Sequence, residues 1–391
     1  MYSICGGMSC KHSKGKVWCD MSNSQAYLEL ISVINHVLHG KELPAQIHWN
    51  QVISLAIQHK MTAFVYRAIA GRQDIPAAVV SRVETLHFAS VGAQMRQEHY
   101  ATSLFDELKK QGIRYMPMKG HLMRELYPNP AWRTSSDLEL LCDQENREAI
   151  GQILSDHGFS RVSLRPHTDV WALDHVVITI HTYLANPSDP LGAYFSNVWE
   201  RLVSDDGIVY RMTDEDYCIY ILSQMSRYIY YGRISVRQIL DLYIYHHAKT
   251  QLDRTYVEAE LEKLGTLKFA HCVEELCEVW FGDGEQTNDM MTLGSFIASS
   301  SAYGVVPTAP IRFNVVFPSF TVMKKWYRIL RPLPILLPFM WVWRWVGMLF
   351  RPSVDRKRRE GLRAADNRSA KMLSHVEEIL GLASPDTHEG S

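Results

Sequence analysis

Residues 113–142, IRYMPMKGHLMRELYPNPAWRTSSDLELLC, place a strand, a glycine turn, a helix and a second, acidic strand in close succession. Ile113, Tyr115, Met116 and Met118 read as a short buried strand, and Lys119-Gly120 stops it where a helix over 121–127 begins. A turn of this kind can cradle phosphate. Glycine lets the backbone come close, the first helical N–H groups point outward at an anion, and Lys119 adds a full positive charge beside them. After the Pro128-Asn129-Pro130 break, Asp137-Leu138-Glu139 opens an apolar strand, Leu138–Cys142. Side chains alternate along a strand, so Asp137 and Glu139 share one face while Leu138 and Leu140 share the other. Two neighbouring carboxylates repel one another unless a cation sits between them, and hard divalent ions such as Mg²⁺ take oxygen ligands of this kind. The residues alone also fit a plainer reading, in which the acids are a solvated strand start and Lys119 a surface charge.

The ordered set Lys119-Gly120, a helix ending in Tyr127, Arg133 four residues before Asp137, and Asp137-x-Glu139 followed by apolar residues resembles the uncharacterised nucleotidyltransferase family of bacteria. That family belongs to the DNA polymerase β-like nucleotidyltransferase superfamily. The likeness is strongest over 113–183 and extends more loosely over about 25–350. It implies an α+β fold, a small mixed-sheet nucleotidyltransferase palm flanked by N-terminal and C-terminal helical lobes. It further implies transfer of a nucleoside monophosphate from an NTP to an acceptor, with Mg²⁺ on Asp137 and Glu139 and the nucleotide held by Lys119, Gly120, Arg133 and Ser136.

The resemblance implies a third carboxylate as well, from a later strand, two residues before a His. The strand over 175–183 supplies His181, but Thr179 stands at the acid's position. Asp174 is five residues from Thr179, on the opposite face of a regular strand, and replaces it only if a bulge intervenes. A site short of one carboxylate holds its metal more weakly and lacks an obvious base for the attacking hydroxyl. His181 is either a substitute ligand or base, or a satisfied core histidine. Thr179 thus supports a second reading: a catalytically degenerate module that binds nucleotide or a partner, at the membrane surface or elsewhere.

The remainder of the chain sets bounds. Its 41 basic and 42 acidic residues nearly cancel, which removes any global argument for nucleic acid as a partner. Seven scattered cysteines in 391 residues suggest reduced thiols and a cytoplasmic setting rather than a disulfide framework. Residues 1–23 read as a flexible leader. Cys5, Cys10, His12 and Cys19 are zinc-ligand types without a knuckle spacing.

A helical lobe is expected over 24–111, with Ser24 as N-cap, Gly40 as a stop, and helices over 49–71, 76–91 and 92–110. His59, His87 and His99 read there as core or surface histidines. The α/β core over 112–210 adds a helix over 144–158, strands over 159–164 and 170–184, and a linker with a strand or short helix around Trp199. A helical bundle over 211–285 opens on the capping box Thr213-x-x-Asp216. It carries Arg227, Arg233 and Arg237 near Tyr228, Tyr230 and Tyr231, and further helices over 256–263 and 268–281. That cluster suits a base by stacking and a triphosphate by charge, whereas Arg237 and Asp241 also fit an ordinary helix-surface pair.

The segment 286–351 contains PLPILLPFMWVWRWVGMLF (332–350), nearly all apolar, with basic flanks and Trp341, Trp343 and Trp345. It reads as a stretch packed on the protein, as peripheral contact with an anionic inner-membrane surface, or as a span. Residues 352–391 read as a basic helix and a polar tail.

Overall fold

The computed structural model describes residues 21–300 apart from 186, 188, 231 and 232, together with residues 340 and 375–382. The candidate zinc ligands of the leader, the basic run at 356–359 and, residue 340 excepted, the apolar stretch 332–350 lie outside the described residues.

Four helices precede the sheet: α1 (Met21–His39), α2 (Trp49–His59), α3 (Thr62–Ile69) and α4 (Ala77–Lys110). The apolar stripe of α1, Tyr27, Leu30, Ile31 and Ile34, is buried as its spacing requires. Gly40 ends the helix in the left-handed conformation (φ 69), its N–H reaching His36 O at 3.0 Å. The helix begins at Met21, so Ser24 lies within its first turns and does not cap it. The single helix expected over 49–71 is two, broken where Lys60 turns left-handed.

Conversely, the two helices expected over 76–91 and 92–110 are one of 34 residues. A glycine inside a helix costs about 1 kcal/mol against alanine but does not end a helix that keeps its packing. Nothing at Gly92 needs glycine: an added Cβ would meet only Arg96 Nη1, at 3.7 Å. Gly92→Ala is therefore expected to stabilise the protein by about 0.5–1 kcal/mol, read as a higher urea midpoint at unchanged slope.

The sheet is built from β1 (Tyr115–Pro117), β2 (Leu138–Cys142), β3 (Ser160–Arg165), β4 (Thr168–Leu173) and β5 (Val176–His181), with α5 (Lys119–Glu125) and α6 (Arg147–Asp156) between its early strands. Its order is β1-β2-β5-β4-β3; β2 and β5 run parallel and every other pair antiparallel. This is the small mixed sheet of an α+β fold. The strand expected over 170–184 is a hairpin, β4 and β5, turned by Asp174 (φ 46) and His175 (φ 67). Two consecutive positive-φ residues are what a tight hairpin turn demands. Residues 208–210 run along the free side of β1, with Tyr115 N donating to Ile208 O and Tyr210 N to Tyr115 O, so that edge is covered.

One face of the sheet, with Leu138, Leu140, Ile178, Ile180 and Trp171, packs on Leu104 and Leu108 of α4 and on Ile150 and Leu154 of α6. The other face, carrying Glu139 and Thr179, is turned away from that core.

After the sheet come α7 (Pro190–Tyr194), α8 (Val198–Arg201), α9 (Asp214–Tyr230), α10 (Val236–Ala248), α11 (Arg254–Lys263), α12 (Leu267–Phe281) and α13 (Asn288–Ser299), the last not foreseen in the sequence. Thr213 Oγ1 accepts from Asp216 N as expected, while the Asp216 carboxylate pairs with Arg201 rather than closing a capping box. α9, α10 and α12 share one large apolar core with α1, α2 and α3. A helical turn at 375–380 joins this core through Val376 and Leu380. Among the described residues no helix is long and apolar enough to cross a membrane.

His59 is wholly buried in this core, with Val236 N donating to Nδ1 (3.3 Å) and Nε2 facing Ala298 O (3.3 Å). Burial pushes its imidazole down to about 4, outweighing the Ala298 carbonyl. The unfolded chain takes up that proton near pH 6.5 and the folded one only near 4, so stability is intact above 6.5 and falls as the pH drops through this window. The expected loss is about 3 kcal/mol by pH 4, and His59→Leu should flatten that part of the profile in urea titrations even though its stability at pH 7 is lower.

Candidate functional site

The sequence-predicted acids open into a cleft of about 370 Å³ between the start of β2, the turn joining α2 to α3, and the helices α9 and α10. Leu138, buried between Asp137 and Glu139, anchors the strand in the core below and leaves both carboxylates half-buried on the cleft side. Ser136 Oγ donates to Asp137 Oδ1 at 2.9 Å. Gly120, the second residue of α5, lies directly behind this loop: an added Cβ would lie 2.7 Å from Ser135 Oγ, so a larger residue would require that hydroxyl to move. The side chain of Lys119 lies outside the described residues.

Arg133 also lines the cleft, with its guanidinium committed to a pair with α10. It is buried, with Nε and Nη2 donating to the two oxygens of Asp241 on α10 (2.8 and 2.9 Å) and Nη1 donating to Gly120 O (2.7 Å). Tyr127 Oη donates to the same carboxylate at 2.6 Å. Burial pushes the Asp241 carboxyl up, but Arg133 and then Arg237 and Tyr127 outweigh it and hold the group below the usual carboxylate range. This bidentate pair fastens α10 to the loop that carries the acids.

Arg237 is thereby released from its expected helix partner. Its Nη1 donates to Thr134 O (2.8 Å), and its buried Nε has no hydrogen-bond partner among the described residues. Burial, followed by the neighbouring Arg133, pushes its guanidinium down, which marks a charge that a ligand anion would stabilise.

Lys60, which the sequence reading passed over, lines the same cleft. The α9 wall is a helical stripe of Tyr217, Ile221, Gln224, Met225 and Tyr228. Tyr228 Oη donates to Gln224 Oε1 (3.0 Å) and Gln224 Nε2 to Tyr220 Oη (2.7 Å), which fixes the amide. Of the expected Arg/Tyr cluster, Arg233, Arg237 and Tyr228 reach the cleft, and Arg227 pairs with Asp189 instead. Tyr231 and the side chain of Tyr230 lie outside the described residues.

The register between β2 and β5 sets Thr179 beside Glu139 and His181 beside Leu141. His181 Nε2 lies 3.5 Å from Glu139 Oε1 and makes no hydrogen bond among the described residues. Asp174 does not approach them. β5 pairs without a bulge on both sides, and the sheet's register shift falls in β3 between Arg161 and Ser163, so Asp174 stays at the hairpin tip. Among the described residues no group of three His, Cys, Asp or Glu side chains could hold a metal ion. Asp137 and Glu139 make a two-carboxylate seat. That donor set fits Mg²⁺ arriving with a nucleotide, because Mg²⁺ keeps several waters and is commonly held by one or two carboxylates together with substrate phosphates.

The model of a family described as uncharacterised nucleotidyltransferase matches residues 45–282. The chain belongs to this nucleotidyltransferase family. Comparison with curated proteins and with solved structures finds no match. The family match runs from the loop before α2 through α12 and contains every residue of the cleft, from Lys60 to Leu242. The cleft of this family member thus draws on its helical regions as much as on its sheet.

Proposed function

We propose that the protein transfers a nucleoside monophosphate from an NTP to a hydroxyl-bearing acceptor in this cleft. The observation that carries the reading is the presence in one cleft of Asp137, Glu139 and the half-buried Arg237, whose Nε has no hydrogen-bond partner among the described residues. Asp137 and Glu139 would hold Mg²⁺, which would supply positive charge that lowers the barrier to in-line attack on the triphosphate. Arg237 binds a phosphate oxygen through its guanidinium. The Tyr228, Met225 and Ile221 stretch of α9 offers the base an aromatic and apolar wall. In the reaction the acceptor oxygen bonds to the α-phosphorus, the bond to the α,β-bridging oxygen breaks, and pyrophosphate leaves with the electron pair. His181 is not among the residues that line the cleft, and its buried Nε2, 3.5 Å from Glu139 Oε1, would act on that carboxylate rather than on the acceptor.

Thr179 favours a second reading, nucleotide binding without turnover. Isothermal titration with each of the four NTPs, with and without Mg²⁺, followed by an assay for pyrophosphate release, tests both. Metal-dependent binding of an NTP with release supports transfer, binding without release with any acceptor supports the second reading, and no binding contradicts both.

A further inference from the structure

Lys60 enters the cleft by a route that is unusual for a lysine. It sits at the break between α2 and α3 with a left-handed backbone (φ 58, ψ 41), the conformation that favours glycine and asparagine. The break is otherwise well closed, with Lys60 N donating to Ile57 O and Met61 N to Ala56 O. The strained position is therefore not a defect in capping; it sets where the side chain goes. That side chain lines the cleft with Asp137, Glu139 and Arg237. Burial and the nearby Arg237 push its ammonium down to about 8, against the opposing pull of Asp137 and Glu139.

The charges in the cleft give this placement its meaning. Arg133 is neutralised by Asp241, so two carboxylates face three cations, Lys60, Arg237 and the exposed Arg233. A divalent ion held by the carboxylates would leave this excess of positive charge in the cleft, which a multiply charged anion would balance. A lysine ammonium is a compact charge with three donors, suited to the oxygens of a terminal phosphate chain rather than to a base.

Building on the nucleotidyl-transfer reading, we propose that Lys60 binds the β- and γ-phosphoryl groups of the NTP, and that its left-handed backbone is the device that delivers it there. When the bond between the α-phosphorus and the bridging oxygen breaks, the electron pair and the growing charge pass to pyrophosphate. Lys60 keeps its protons and stabilises that charge.

The test is isothermal titration of wild type, Lys60→Gln, Lys60→Arg and Lys60→Gly with Mg²⁺ and either pyrophosphate, the four NTPs or the four nucleoside monophosphates. Loss of a charged contact should weaken pyrophosphate and NTP binding about 10- to 100-fold in the Gln and Gly variants, with monophosphate binding unchanged and Lys60→Arg close to wild type. Lys60→Gly should also raise Tm by about 1–3 °C, because glycine relieves the left-handed backbone, so that weaker binding cannot be put down to weaker folding. If wild type binds NTP and the Gln variant binds it equally well, the role of Lys60 is overturned and the nucleotidyl-transfer reading stands. If wild type binds neither pyrophosphate nor any NTP, both are overturned.

Discussion

Asp241→Ala is expected to destabilise the protein by about 3–5 kcal/mol, the loss that follows when one partner of a buried ion pair is removed and the other charge stays buried. The guanidinium of Arg133 would keep only the Gly120 carbonyl and a 3.4 Å contact with Ser135 Oγ, and Tyr127 Oη would lose its 2.6 Å acceptor. Urea denaturation reads the loss directly, and Arg133→Ala should show one of similar size. Replacing both together, as Arg133→Met with Asp241→Leu, should recover much of it, because apolar residues of similar volume substitute well for a buried pair. A loss below about 1 kcal/mol in Asp241→Ala would mean that the pair does not hold α10 to the loop before β2. The same variant should also weaken nucleotide binding, since that loop carries Asp137 and Glu139.

The second large effect is on binding alone. Asp137→Ala combined with Glu139→Ala should lower Mg²⁺-dependent NTP affinity by at least about 100-fold, more than the 10–100-fold typical of residues that only support metal ligands. Both side chains are half-buried beside Lys60 and Arg237, so their removal takes away mutual repulsion along with a partner for the cations, and the fold should be little weakened. Metal-dependent affinity that is unchanged in the double variant would show that the seat lies elsewhere.

These two effects differ in how far the residues behind them can be read from the sequence. Asp137 and Glu139 are local: an acidic pair two positions apart, one just before and one on a strand whose bounds, Leu138–Cys142, come out as the alternation predicts. Gly40 and the Thr213 cap are local in the same sense, each a single residue type that one backbone conformation requires. The partner of Arg133 is 108 residues away, and no pattern in the chain joins them. An i,i+4 reading assigned Asp241 to Arg237 on the same helix; the fold gives it to Arg133 and leaves Arg237 for the cleft.

Lys60 escaped for a different reason. The apolar period of 49–71 continues on both sides of the break, and lysine carries none of the turn signal that glycine or asparagine would. The hairpin at Asp174-His175 was hidden likewise, since a turn without glycine between two apolar runs looks like one long strand. Gly92 misled in the opposite sense, as a glycine that the packed helix simply carries. The differences therefore fall where tertiary contacts override a local signal, and two of them, the partner of Asp241 and the helix break at Lys60, lie at the cleft itself.

The measurement that bears most directly on the account is anomalous diffraction from crystals of the protein soaked with Mn²⁺ and a non-hydrolysable NTP analogue. The account expects a manganese peak between the carboxylates of Asp137 and Glu139, with the triphosphate running toward Lys60 and Arg237 and the base against the Tyr228 wall. A metal peak away from β2, or a nucleotide bound outside this cleft, would contradict it.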